Sequence, residues 1–320
     1  MKKIGIFGST GIVGRTVIKI LNEKKLFDYE YFLFANSTEP KRSFKIGKQK
    51  YIVQGTDFEN LPKLDFALLC TREEVSKQLV EKLSKNGCTT IDFSSYFRKD
   101  FPLIVPEINF ENAQGNIICN PNCSTIASVM ALHEINKKFG LESIVYSTYQ
   151  AVSGAGKLAL DDIKTKDVKK LKNFKFPIYN NLIPQIGSID KQGFSTEENK
   201  MMFETRKILN DPKIKITATC VRVPIDICHC ISIHFKTRKN VSLGQIKDTL
   251  SQTKGVRIFD DEPNYPMPYF TRHQSDVLVG RIRESFDKNS FDVFVCSDNL
   301  RKGAAQNGVQ ILEGFLNERW

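Results

Sequence analysis

The sequence predicts a two-domain α/β protein: a doubly wound, parallel-sheet domain first, then an α+β domain with a largely antiparallel sheet. Three observations carry this. Apolar runs alternate with helical patterns through the first 95 residues, glycines recur after the first apolar run, and from about residue 140 the apolar segments lengthen. Strands alternating with helices imply parallel strands joined by crossovers. Long β-rich segments imply antiparallel pairing.

Taken in order, "KIGIFG" reads as a strand, "GRTVIKILNEKK" as a helix, "YEYFLFA" as a strand and "FKIGKQKYIVQ" as a small hairpin. "DFALLC", "EEVSKQLVEKLSKNG" and "TTIDFS" continue as strand, helix and strand. "ESIVYSTYQAV", "ITATCVRVPIDICHCISIHFKT" and "FDVFVCSD" are the β segments of the second domain, and "LRKGAAQNGVQILEGFLNERW" has a helical spacing that suits packing back on the first. The expected division is 1–122 with 300–320 for a nucleotide-binding domain and 123–299 for a catalytic and dimerisation domain.

With 320 residues, 41% of them hydrophobic, the chain is too long for one small core and too apolar for disorder. Two lysines precede an apolar N-terminal run, but glycines 5, 8, 11 and 14 and Arg15 interrupt it, unlike a secretory leader. No uncharged apolar stretch reaches the roughly 18 residues of a membrane span, so a cytoplasmic protein without membrane partners is expected. The eight cysteines lie mostly in strand-like segments of a chain far larger than disulfide-stapled domains, so buried thiols are expected. The net charge of +11 calls for an anionic partner. Basic clusters at 41–50 and 164–175 lack aromatic interleaving, and the second reads as a solvated helix face. Small phosphorylated ligands account for the charge as well as nucleic acid does.

"GSTGIVG" places Gly8, Gly11 and Gly14 between a strand and a helix, a GxxGxxG variant of the dinucleotide fingerprint. Glycines there let the backbone approach a pyrophosphate at the helix N-terminus, although such turns also occur without a ligand. Ser9 and Thr10 add hydroxyls. No acidic residue clearly ends the second strand to hold a ribose hydroxyl. Asn36, Ser37, Thr38, Lys41 and Arg42 suit a 2'-phosphate, with Glu39 opposing, so NADP is favoured and NAD is the alternative.

"NPNCSTI" sets Cys123 at a helix start, where the positive end of the helix dipole favours the thiolate. The plainer reading is a small packing residue in a capped turn. His229, in "RVPIDICHCISIHF", suits the proton-transfer partner of a cysteine nucleophile, or a core histidine. Cys228, Cys230 and His234 raise a metal site, but on a strand 228 and 230 point away from 229 and no second knuckle completes a tetrahedron, so no metal is expected. Glu197 and Lys200 share a helix face, and alone they read as a surface ion pair, as Arg98 reads as a surface arginine.

Together these residues resemble the aspartate-β-semialdehyde dehydrogenase family. "GSTGIVG", "SSYFRKDFPLIVPEIN", "NPNCSTI", "TYQAVSGAGK", "TEENKMMFETRKIL", "RVPI" with a histidine seven residues after its arginine, "YPMP", "VGRIR" and "DNLRKGAAQNGVQI" occur in the family's order. The resemblance implies a Rossmann-type domain and reversible reduction of L-aspartyl-4-phosphate by NADPH to L-aspartate-4-semialdehyde and phosphate. It makes Cys123 the nucleophile that forms a thioester, His229 the acid/base and Gln150 the group orienting substrate. Arg222 would take the substrate carboxylate as a two-donor fork, Glu197 the ammonium, and Arg98, Asn122 and Lys200 the phosphate. Gly8, Ser9, Thr10, Gly11, Ile12, Val13, Ser37, Thr38, Thr71, Ser153, Gly154 and Asn299 would line the cofactor. A homodimer or homotetramer is implied, built through the second domain's sheet, and a place in making lysine (through diaminopimelate), threonine and methionine.

The chain departs from the family at Thr71, Arg72 and Glu73, where a small-residue turn is usual. It departs again at Thr38, where an arginine near the 2'-phosphate is usual, and at Cys230-Ile231, where Ser-Glu is common. These bear on cofactor preference and turnover. An N-acetyl-glutamyl-phosphate reductase is the alternative, and Glu197 separates the two, since an acetamide needs no anionic partner. A catalytically silent relative would be expected to lose Cys123.

Overall fold

The structure, a computed structural model, describes residues 1–36 and 42–317. The expectations for Ser37, Thr38, Glu39 and Lys41 lie outside the described residues. The chain forms two compact units, Met1–Pro121 with Ala304–Trp320, and Asn122–Gly303.

In the first unit the strands are β1 (Lys3–Phe7), β2 (Glu30–Ala35), β3 (Ser43–Ile46), β4 (Gln49–Gly55), β5 (Phe66–Leu69), β6 (Thr89–Asp92) and β7 (Ile117–Cys119), in the order β3-β4-β2-β1-β5-β6-β7. All neighbours are parallel except β3 and β4, which form the expected hairpin at the edge. Alternation along each strand supplies two apolar faces. Ile4, Ile6, Leu33, Leu68 and Ile91 meet Val17, Leu21, Val309 and Leu312, from the helices Ile12–Glu23 and Gln306–Asn317. Phe7, Phe34, Ala67 and Leu69 meet Leu79, Val80 and Leu83 of the helix Glu73–Lys85. Each such aliphatic side chain contributes about 1.5–3 kcal/mol on burial. Because β1 pairs with β2 on one side and β5 on the other, the strand order reverses at its carboxyl end, where doubly wound sheets open a crevice for ligands.

The second unit holds β8 (Leu141–Gln150), β9 (Lys215–Arg222), β10 (His229–Thr237), β11 (Val256–Ile258), β12 (Val277–Glu284) and β13 (Ser290–Ser297), in the order β11-β12-β13-β10-β8-β9. The central pairs are antiparallel, whereas the outermost pairs, β8 with β9 and β11 with β12, are parallel. Helix Cys123–Phe139 crosses one face and is buried on nearly all sides, since helices Thr196–Ile208 and Leu243–Ser251 pack around it. The other face carries Val145 and Tyr149, 41% and 40% exposed, beside Phe294 and His234.

The 164–175 stretch is not a helix face. It is a loop with one 3-10 turn, Val168–Lys170, because Asp162 accepts the backbone N–H groups of Lys172, Asn173 and Phe174 and Asp167 that of Lys169. Carboxylates that bind the backbone locally compete with helix formation. No helix among the described residues is long and apolar enough to cross a membrane.

Candidate active site

Cys123 is the first residue of its helix, and the cap before it is Asn122, whose side-chain oxygen accepts the N–H groups of Ser124 (3.0 Å) and Thr125 (3.2 Å). Capping by a neutral amide leaves the positive end of a 17-residue helix beside the sulfur, with no acidic residue in the first turn. Gly303 leaves room here, since a Cβ on it would stand 3.0 Å from the Cβ of Cys123.

His229 begins β10, and its Nε2 lies 3.1 Å from Cys123 Sγ. The backbone N–H of Ala151 donates to Nδ1 at 3.0 Å, so the proton of the neutral ring sits on Nε2 and points at the sulfur. Burial, and then the neighbouring Arg222 charge, push the imidazole down to about 3, against a smaller opposite pull from the Cys228 backbone. The resting pair is therefore a neutral imidazole donating to sulfur.

Arg222 ends β9, only 5% exposed, and donates one bond from Nη1, to the Ala151 carbonyl at 2.6 Å. It forms no salt bridge among the described residues. Burial lowers its pKa, and Glu197 and Cys123 pull the other way. A buried guanidinium with most of its fork unspent is a receptor for a planar anion.

Glu197 lies on helix Thr196–Ile208, which starts with a capping box between Ser195 and Glu198. Its Oε1 accepts from Asn122 Nδ2 (2.8 Å) and Gln150 Nε2 (3.0 Å), and Thr148 holds the Gln150 carbonyl. Its second oxygen carries no hydrogen bond among the described residues. Lys200, one turn on, is half-buried and forms no ion pair among them. The Glu197–Lys200 surface ion pair of the plainer reading is therefore absent.

Asn299 donates to the Ser153 hydroxyl (3.0 Å) and accepts the Cys228 N–H (2.9 Å). Gly154 stands against Arg222 and His229, so that a Cβ on it would lie 3.0 Å from Nη1 and 3.3 Å from Nε2. These three expected cofactor residues thus adjoin the Cys123–His229 pair. Cys230, the next residue on β10, faces away from it by strand alternation, and Cys228, just before the strand, clusters with Cys230 and Cys296. Cys230 and Cys296 are cross-strand partners with sulfurs 3.4 Å apart, and all eight cysteines are thiols. No group of three potential metal ligands occurs among the described residues.

Cys123, Asn122, Gln150, Glu197, Lys200, Arg222 and His229 all belong to the second unit, whereas Arg98 and the glycine loop belong to the first. Arg98 is buried rather than a surface arginine, donating to the Ser94 and Phe93 carbonyls, and the buried Asp92 holds Ser94. In the loop, Gly8 has φ +74° and no space for a Cβ beside the Cys70 carbonyl, and Gly14 none beside Gly8. Ile12 and Val13 open a helix with no side-chain cap, leaving backbone N–H groups for a pyrophosphate. Ser9 is fully buried and its hydroxyl donates to Phe34, so it braces the loop instead of offering a hydroxyl to a ligand. Thr10 is nearly buried, and its carbonyl takes Arg15. Thr71 lies against Gly8 and shares a hydrogen bond with Ser76. These residues fit a dinucleotide.

Residues 3–115 match the semialdehyde dehydrogenase NAD-binding domain, and residues 132–302 the semialdehyde dehydrogenase dimerisation domain. The aspartate-semialdehyde dehydrogenase of Aquifex aeolicus is 39% identical over 99% of this chain and 98% of its own length. The chain belongs to the aspartate-semialdehyde dehydrogenase family. It is an oxidoreductase of that family. The enzyme of the same name from Bacillus subtilis is 36% identical over 98% of this chain and 96% of its own. The crystal structure of aspartate semialdehyde dehydrogenase II from Vibrio cholerae, complexed with ASA, has a TM-score of 0.94 at 35% identity, covering 100% of this chain and 99% of that one.

Sequence reasoning did not find Glu204, whose carboxylate accepts the Asn122 N–H at 2.7 Å. Its spacing from Glu197, seven residues on one helix face, was the available signal. Nor did it find the bonds from the Ala151 backbone, which no side chain announces.

Proposed function

We propose that this chain is an NADP-dependent aspartate-semialdehyde dehydrogenase, interconverting L-aspartyl-4-phosphate with L-aspartate-4-semialdehyde and phosphate through a thioester on Cys123. The reading rests on one observation: an Arg222 without a carboxylate partner among the described residues, in the same unit as the Cys123–His229 pair and the half-committed Glu197. Its chemistry suits a ligand with a carboxylate, an ammonium and an electrophilic carbon.

In this reading Arg222 binds the carboxylate, and the open oxygen of Glu197 takes the ammonium. Gln150, oriented by Thr148 and Glu197, fixes the substrate beside sulfur. Thiolate attack forms the C–S bond and expels phosphate, for which Lys200 serves as a cation and the second Asn122 N–H as a neutral donor, with Arg98 assigned to the phosphate on the resemblance alone. His229 Nε2–H donates a hydrogen bond to the oxygen that becomes anionic at each tetrahedral stage; as that oxygen re-forms its carbonyl to give the aldehyde, the C–S bond breaks and the Cys123 thiolate leaves beside the same N–H. The dinucleotide supplies the hydride when bound, held at Gly8, Gly11, Ile12 and Val13, with Thr71 alongside; Ser37 and Thr38 are assigned to it on the resemblance. NADP is preferred on the basic residues that follow β2, with NAD as the alternative.

A second copy of the chain would cover the sheet face bearing Val145, Tyr149 and Phe294, giving a homodimer or homotetramer. A cytoplasmic setting, where thiols stay reduced, suits a cysteine nucleophile. The product would feed lysine, threonine and methionine synthesis.

The test is absorbance at the reduced-nicotinamide band with purified protein, L-aspartate-4-semialdehyde, phosphate and NADP or NAD, beside Cys123→Ser. Reduced cofactor is expected only when semialdehyde and phosphate are both present, and none with the serine variant. A wild type that binds nucleotide but stays silent would overturn the assignment.

A further inference from the structure

We infer that Glu204 is a positioning residue for the nucleophile: its buried carboxylate holds the backbone N–H of Asn122 and thereby sets the turn that presents Cys123. The inference rests on Cys123 being the nucleophile. Glu204 is 1% exposed, and its Oε2 accepts that N–H at 2.7 Å. A carboxylate out of water is costly, and a good hydrogen bond to the charged form offsets that cost. The N–H of a cap residue has no partner inside its helix, so an outside acceptor can take it.

Asn122 is thereby gripped three ways. Glu204 takes its backbone N–H, Glu197 takes its side-chain amide at 2.8 Å, and its side-chain oxygen caps the helix through Ser124 and Thr125. Glu197 and Glu204 stand seven residues apart on helix Thr196–Ile208, so one rigid element provides both holds. The hold limits how the next residue, Cys123, moves relative to His229. Electrostatically the same anion opposes the thiolate, which separates position from charge. Among the described residues, His229 on β10 and Arg222 and Cys220 on β9 also act on Cys123.

The test compares Glu204→Gln and Glu204→Ala in the full chain. Iodoacetamide alkylation of Cys123 is followed by mass spectrometry across pH, beside kcat and KM for the semialdehyde. Glutamine keeps an acceptor for the Asn122 N–H and removes the charge, so its alkylation midpoint should fall by about half a pH unit or more, with kcat within about fivefold of wild type. Alanine also lowers the midpoint but loses the hold, so kcat should fall more than about tenfold at nearly constant KM. An unmoved midpoint in Glu204→Gln, or equal kcat in the two variants, would overturn the inference. If alanine prevents folding, Glu204→Asp replaces it: the shorter carboxylate keeps the charge but not the reach to the Asn122 N–H, so its kcat should fall more than about tenfold while that of Glu204→Gln does not, and equal kcat in the two would overturn the inference. If wild type fails to turn over the semialdehyde while the midpoint still shifts, the substrate reading falls and the positioning role stands.

Discussion

His229 Nε2 and Cys123 Sγ lie 3.1 Å apart, although 106 residues separate them in the chain. The sulfur is placed by a helix cap and the ring by a strand start. The Ala151 N–H, by occupying Nδ1, directs the ring's remaining proton to the sulfur.

Replacing this ring should damage chemistry more than binding. His229→Gln is expected to lower kcat by about 10²–10⁴-fold, the usual share of general acid–base catalysis, with KM for the semialdehyde changed little. Steady-state kinetics at fixed phosphate decide it. A loss confined to KM would mean that the ring only binds.

The depressed His229 pKa has a stability signature. Between about 3 and its ordinary 6.5 the unfolded chain takes up a proton that the folded chain does not. Stability therefore rises with pH in that window, by about 1.4 kcal/mol per unit from this group. Urea titrations at pH 4.5, 5.5 and 6.5 should show wild type gaining on His229→Gln as pH rises, with no further gain above about 6.5.

Arg222→Lys keeps the charge but loses the planar fork. KM for the semialdehyde should rise by about tenfold or more, with a smaller fall in kcat. Unchanged kinetics would remove Arg222 from substrate binding.

At Gly154 space is the issue, and its φ lies outside the left-handed range. A methyl group would crowd Arg222 Nη1 and His229 Nε2. Gly154→Ala should therefore fold with a near wild-type melting temperature and lose roughly tenfold or more in kcat/KM.

Asn122→Ala removes the helix cap and the Glu197 partner together. A loss of about 1–2 kcal/mol on denaturation is expected. Cys123 alkylation should also lose its sharp pH dependence as the turn loosens.

Much of this site is legible in the sequence because its parts are local. Asn122 before a helical run announces a cap, and Ser195 with Glu198 announces a capping box. Gly8, Gly11 and Gly14 announce a tight strand-to-helix turn, and alternation along "ESIVYSTYQ" places Thr148 and Gln150 on one face. The 164–175 stretch misled because its lysines suit a helix, while Asp162 and Asp167 draw its N–H groups into a loop. Arg98 misled because the carbonyls of Phe93 and Ser94 that receive it are backbone groups.

By itself the sequence determined the two kinds of sheet and the helix that carries Cys123, because periodicity and capping act over a few residues. Only the tertiary structure decided that β8 and β9 run parallel, which brings Gln150 opposite Arg222, and that β10 starts where His229 reaches the sulfur. It also decided that Ala151 and Glu204 hold the site. Those relations depend on strand order and on backbone groups, which every residue type carries alike and no local pattern encodes.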